Sequence, residues 1–191
     1  PLNIPVFKSP SYIFVNKYGR RFRDESRSAI HRKDPRPETY FNHEMAEYPN
    51  IPSHIVFDEN LRPQGPIVRS RSPTTNAPLG FLSVHGIYNW SDDNLTEIEN
   101  GTIKKANTIK EVAARIGAEP AVLEETITSY NGYCDTGNDL EFQRPKEKLV
   151  PIRGPPYYSA QLCLAFINTQ GGPRHNSKAQ VVDWDGNPIP R

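Results

Sequence analysis

Cysteine is scarce in this 191-residue chain, and its two thiols, Cys134 and Cys163, cannot form a disulfide framework. Each reads as a small apolar side chain, Cys134 on a helix and Cys163 in a strand. The five histidines (His31, His43, His54, His85 and His175) show no paired ligand spacing, so no metal site is expected. No apolar run approaches the roughly 18 residues of a membrane-spanning helix. Charge of one sign is also lacking: 23 basic and 22 acidic residues leave a net +1, which removes the electrostatic case for nucleic acid or an anionic membrane surface. No G-x-G-x-x-G occurs, so a dinucleotide-binding strand-turn-helix is not expected within these residues. The chain opens on Pro1 without a signal-peptide pattern and reads as an excised piece of a longer polypeptide, whose localisation it leaves unknown.

Proline is abundant instead, with 19 residues, and predicts many loops between short elements. Hydrophobic residues at 36% and charged residues at 24% suit a fairly polar globular unit, long enough to bury a core. Residues 11–16 are apolar, β-branched and aromatic and read as a strand, followed by a turn at Lys17–Arg20. The basic run from Lys17 to Arg23 meets Asp24 and Glu25 at once, which predicts local neutralisation more than a phosphate site. Arg21 and Phe22 are expected to hold the turn against the core.

Helices are expected around Glu25–His31 and over residues 38–48, and a short buried strand at His54–Phe57. Residues 62–80 read as a long irregular loop, and Phe81–Tyr88 as a return to order. The clearest region runs from 102 to 136. A short strand at Ile103–Ala106 precedes a capping box, Thr108-Ile109-Lys110-Glu111, and a helix with Ile109, Val112, Ala113 and Ile116 on one face, stopped at Gly117. A second helix starts at Pro120, carries Leu123, Ile127, Tyr130 and Cys134 at helical spacing, and stops at Gly137. Tyr157–Ile167 reads as a strand, and Asp185-Gly186 as a hairpin turn between Gln180–Trp184 and Asn187–Ile189. The expected fold class is α+β.

Three segments together carry a resemblance. Ile13-Phe14-Val15-Asn16-Lys17-Tyr18-Gly19-Arg20-Arg21-Phe22-Arg23-Asp24-Glu25 resembles the V-N-x-x-G-x-R-F-x-[ND]-E segment of fumarate reductase, succinate dehydrogenase and ketosteroid dehydrogenase-like FAD-dependent oxidoreductases. Ala106–Ala113 and the helix pair ending in Tyr130-Asn131-Gly132-Tyr133-Cys134 are similar to their capping helices. Asn168-Thr169-Gln170-Gly171-Gly172-Pro173 and the hairpin after it resemble the segment that re-enters the FAD domain. Their order and spacing are specific to the superfamily but name no substrate.

The resemblance implies a capping domain over residues 1–156 and a segment, 157–191, that returns to an FAD-binding domain absent from the chain. FAD is then the cofactor of the full-length protein, with no binding expected from these residues alone. The reaction implied is hydride transfer between flavin and a carbon–carbon bond next to a carbonyl or carboxylate, with a protein group handling the proton. The family's catalytic arginine position falls on Ala29; Arg27 and Arg32 flank it, and His31 is a chemically easier acid. Each of the three stands either in the proton relay or as a surface cation near Asp24, Glu25 and Asp34. Where fumarate reductases carry histidine this chain has Asn168, so fumarate itself is not the expected substrate. The resemblance places Asn168, Thr169 and Arg174 at the substrate and Gln170, Gly171 and Gly172 at the flavin; the alternatives are strand-end capping, solvent exposure and an ordinary turn. The implied partners are a small-molecule substrate and the FAD-binding domain, and strands left without that domain expose edges through which copies could dimerise. A stand-alone ligand- or protein-binding module without redox activity is the alternative function.

Overall fold

A computed structural model of the chain describes residues 9–27, 36–68, 90–162 and 171–190. Four strands form one antiparallel sheet: β1 (Tyr12–Asn16), β2 (Ser53–Asp58), β3 (Lys104–Ala106) and β4 (Tyr157–Leu162), in the order β1-β2-β4-β3. β1 pairs with β2 in the register Phe14↔Ile55, and β2 with β4 in the register Ile55↔Ala160. Every residue of β1 and β2 is buried because both faces of the sheet are covered. Tyr12, Phe14, Ile55, Phe57, Tyr158 and Ala160 point to one side, onto Leu61, Ile67 and Ile103. Ile13, Val15 and Val56 point to the other, onto two helices. Two-sided burial explains why these strands read as continuous apolar runs rather than alternating ones.

The helices are α1 (Leu95–Glu99), α2 (Ile109–Ile116) and α3 (Pro120–Thr136). α2 and α3 form the expected helical hairpin and bury Val112, Ala113, Leu123, Ile127 and Tyr130 against the sheet. The Thr108 hydroxyl accepts from the Glu111 N–H at 3.1 Å, while Glu111 reaches back to the N–H of Asn107 at 2.8 Å. Gly117 and Gly137 stop the two helices in the left-handed conformation, at φ 76° and 66°. At the β1 turn, Gly19 has φ 84°, and a Cβ there would lie 3.2 Å from Ala118 Cβ and 3.3 Å from Leu123 Cβ. The glycine therefore lets this turn seat directly on the α2–α3 connection.

One helix expectation is corrected, and a second is corrected over its first three residues only. Residues 38–48 form turns closed by an Asn42↔Glu47 bridge. The Asn42 side chain accepts from the N–H groups of Glu44 and Met45, offering the backbone a local alternative to a helix. Glu25–Arg27 is one three-ten turn; residues 28–35 lie outside the described residues. α1 was not anticipated. Asn94, buried just before it at φ 64°, accepts from the Ile67 N–H and the Trp90 indole and donates to the carbonyls of Arg62 and Gly65. A fully satisfied buried amide thus ties this loop together.

Residues 69–80 of the expected loop, Phe81–Tyr88, and residues 163–167 of the expected last strand with Cys163 lie outside the described residues. Cys134 is half-buried. In the tail, Val182 bridges Pro188 and the Asp183 N–H donates to the Asn187 carbonyl across Asp185-Gly186, with Gly186 at φ 89°. Among the described residues no helix is long and apolar enough to cross a membrane.

Candidate functional site

β1 and its return turn carry the first resemblance segment, and a buried ion cluster fixes them. Arg21 pairs with Val15 in an isolated antiparallel bridge beside β1. It donates to both Glu25 oxygens at 3.0 and 2.9 Å and to both Asp139 oxygens at 3.2 and 2.9 Å. A further contact at 3.2 Å reaches the partly exposed Glu141. Arg144 donates to Glu25 at 3.2 Å and to the carbonyls of Tyr12 and Pro10 at 2.8 and 2.7 Å. The side chains of Arg21, Glu25, Asp139 and Arg144 are at most 1% exposed.

Burying four charges costs several kcal/mol per ion, so the cluster persists only because opposite charges balance and the geometry is bidentate. Aromatic faces complete its walls: Arg21 lies 5.0 Å from the ring centroids of Tyr130 and Phe142, and Arg144 lies 5.1 Å from that of Tyr12. Burial opposes the charge on Arg21, but Glu25 and Asp139 outweigh it and hold the guanidinium cationic. Burial pushes the Tyr130 hydroxyl above its ordinary range. The expectation that Arg21 holds the turn is met. Sequence reasoning missed Asp139 and Arg144, which sit in a stretch that looks like solvated charge and meet Arg21 and Glu25 from more than 110 residues away.

The cluster sets the start of the segment bearing the proposed proton-handling residues. Glu25 also accepts the N–H of Phe14 at 3.2 Å, so the three-ten turn is pinned to β1 at its first residue. Asp24 accepts from the N–H and hydroxyl of Ser26 at 2.9 and 2.7 Å and closes the turn. Arg27 is the last residue of that turn. His31 and Arg32 lie outside the described residues, as do Asn168, Thr169 and Gln170.

Gly171 and Gly172 open the described tail and are exposed, and a Cβ on either would meet nothing within 4 Å. Arg174 is exposed and its carbonyl accepts from the Val182 N–H; it has no carboxylate partner among the described residues. The structure therefore places the Arg27 backbone at the end of the turn that the cluster pins, and Gly171, Gly172 and Arg174 on an exposed ribbon. That ribbon also presents Trp184 at 96% exposure, with Val181 and Ile189. Among the described residues no group of three or more His, Cys, Asp or Glu could hold a metal ion.

Residues 5–190 match the family described as FAD binding domain. NADH:acrylate oxidoreductase of Vibrio harveyi is 31% identical over 180 residues, which cover 94% of this chain and 15% of that protein. 4-Oxocyclohexanecarboxylate 2-dehydrogenase of Sinomonas cyclohexanicum is 26% identical over 204 residues, covering 95% of this chain and 30% of that protein. The crystal structure of 3-ketosteroid Δ1-dehydrogenase from Sterolibacterium denitrificans with 1,4-androstadiene-3,17-dione shares the fold, at TM-score 0.59 and 24% identity over 94% of this chain and 31% of that one. The chain thus spans less than a third of each of these relatives. FAD is the cofactor of full-length members, and the chain belongs to the FAD binding domain family.

Proposed function

We propose that this chain is the substrate-capping part of an FAD-dependent reductase or dehydrogenase and is inactive alone. In this reading residues 1–156 form the cap and 157–191 return to the FAD-carrying domain. The family match over residues 5–190, in a chain that spans less than a third of its relatives, supports the flavoenzyme part of this reading. The capping part rests on the resemblance of the Ile13–Glu25 segment and the helix pair to the family's cap. Acrylate has a double bond next to a carboxylate, and 4-oxocyclohexanecarboxylate has a carbon–carbon bond next to a ketone. The substrate class inferred for this protein is accordingly a carbon–carbon bond adjacent to a carbonyl or carboxylate.

Bound FAD supplies or accepts the hydride. The chain's own residues do the rest. Arg27, Arg32 or His31 gives or takes the proton at the carbon next to the activating group; an arginine does so only when held against a carboxylate in a dry site, because its pKa exceeds about 12. Asn168 and Thr169 donate hydrogen bonds to the substrate's oxygen atoms, and Arg174 adds charge for a carboxylate. Gln170, Gly171 and Gly172 lie against the flavin. The open space around both glycines suits a close backbone approach to a flat ring. Val181, Trp184 and Ile189 are the apolar side chains that the FAD-carrying domain would cover. In this reading the cap closes over the substrate and excludes water.

The test is to express the full-length product, record its visible spectrum, and screen enoates and oxosteroids. The expected result is a flavin spectrum whose reduced form is reoxidised by an enoate, or whose oxidised form is bleached by a ketone. A full-length product without flavin, or with flavin inert to both classes, overturns the proposal.

A further inference from the structure

On the helix side of the sheet, a cleft of about 270 Å³ opens between β2, β4, the start of β3 and the last turn of α2. Its wall carries His54, Thr102, Lys104, Arg115, Ser159 and Gln161. No carboxylate lines it, although the chain's charges are otherwise nearly balanced. Arg115 lies in the last turn of α2, where a cation already suits the negative end of the helix. Lys104 opens the edge strand β3, where a lysine also guards the unpaired edge, and neither cation has a carboxylate partner among the described residues.

A second observation points the same way. His54 lies just before the apolar run Ile55–Phe57 of β2, is only 9% exposed, and its Nδ1 has no hydrogen-bond partner among the described residues. A buried polar atom left unpaired in this way costs about 1–3 kcal/mol unless something completes it. Burial and the Lys104 charge push the imidazole down to about 4, so the ring is neutral near pH 7 and faces a cation rather than an anion. The Ser159 and Thr102 hydroxyls and the Gln161 amide add further hydrogen-bonding groups. Small-molecule sites start at roughly 300 Å³, so the volume suits a compact ligand.

We propose that this cleft binds a small dianion, a dicarboxylate or a phosphate group, between Lys104 and Arg115. The two cations supply the charge, and the hydroxyls, amide and imidazole complete the hydrogen bonding. Such binding does not depend on the flavin reading, because all the residues involved lie within the described part of this chain.

The experiment is an NMR titration of the 191-residue chain with malonate, and separately with inorganic phosphate, against chloride at equal ionic strength. Saturable shifts at the amides of Thr102, Lys104, Ser159 and Gln161 are expected with one or both dianions and not with chloride. Arg115→Gln and Lys104→Gln should each weaken binding roughly tenfold, the loss of one charge-assisted contact. Both side chains are exposed, so dispersed spectra for the variants will show that they fold. Lys104 and Arg115 are the charged groups lining the cleft, so a bound dianion should raise the midpoint of His54. Saturation by malonate alone identifies a carboxylate site, and by phosphate alone a phosphoryl site. Linear shifts with both dianions, or saturable binding that survives the double substitution, overturn the proposal.

Discussion

Asp139→Ala should lower the thermal midpoint of this chain by roughly 10 °C or more. Breaking a buried ion pair by removing one partner costs about 3–5 kcal/mol, and each kcal/mol moves the midpoint by about 2–4 °C at this size. Asp139 does more than neutralise Arg21. Its carboxylate also accepts the N–H groups of Glu141, Phe142 and Arg144 at 3.1, 3.3 and 3.3 Å, so the substitution strands three backbone donors together with a guanidinium. Glu141→Ala is the matched control, because that carboxylate is 44% exposed and its loss should cost no more than about 1 kcal/mol. Circular dichroism melts of the two variants decide the matter, and equal, small shifts would remove the cluster from its structural role.

The same carboxylate gives the cluster a pH dependence of defined sign. Burial alone would raise the Asp139 carboxyl, but the hydrogen bonds and charge of Arg21, with the N–H groups of Phe142 and Glu141, hold it below the usual carboxylate range. Its contribution is therefore complete above the unfolded value of about 3.9 and is lost as pH falls through the lower folded value. Asp139→Asn should flatten that acid limb.

In the full-length protein, Arg27→Ala or Arg32→Ala should lower kcat by about 10²–10⁴, the usual span for losing a positioned proton donor or acceptor. The pH profile separates these candidates from His31. A histidine relay titrates near its reference value of about 6.5, whereas an arginine remains protonated across that range. Asn168→Ala should act mainly on KM, because a neutral amide holds substrate without carrying the proton. Unchanged turnover in every one of these variants would remove the site assignment.

The elements readable from sequence are those whose signals are local. Thr108, Gly117, Pro120 and Gly137 bracket the two helices, and each acts on backbone within a few residues of itself. The strand at His54–Phe57 was legible because β2 is covered on both faces, which makes Ile55, Val56 and Phe57 a continuous apolar run. Asn42 misled because its side chain turns the backbone where the residue pattern suggests a helix. α1, at five residues, is too short for helical periodicity to register. The ion cluster was half legible: Asp24 and Glu25 announce local neutralisation of the basic run, but nothing near Arg21 points to Asp139, 118 residues away. The cleft around His54 left no sequence trace, because its residues come from strands and a helix end that meet only in the fold.

The proposed capping role is tested most directly by titrating this 191-residue chain, alone, with FAD and following flavin fluorescence. A cap without its nucleotide-carrying domain should show no saturable binding up to roughly 100 μM FAD. Tight, stoichiometric binding by these residues on their own would contradict it.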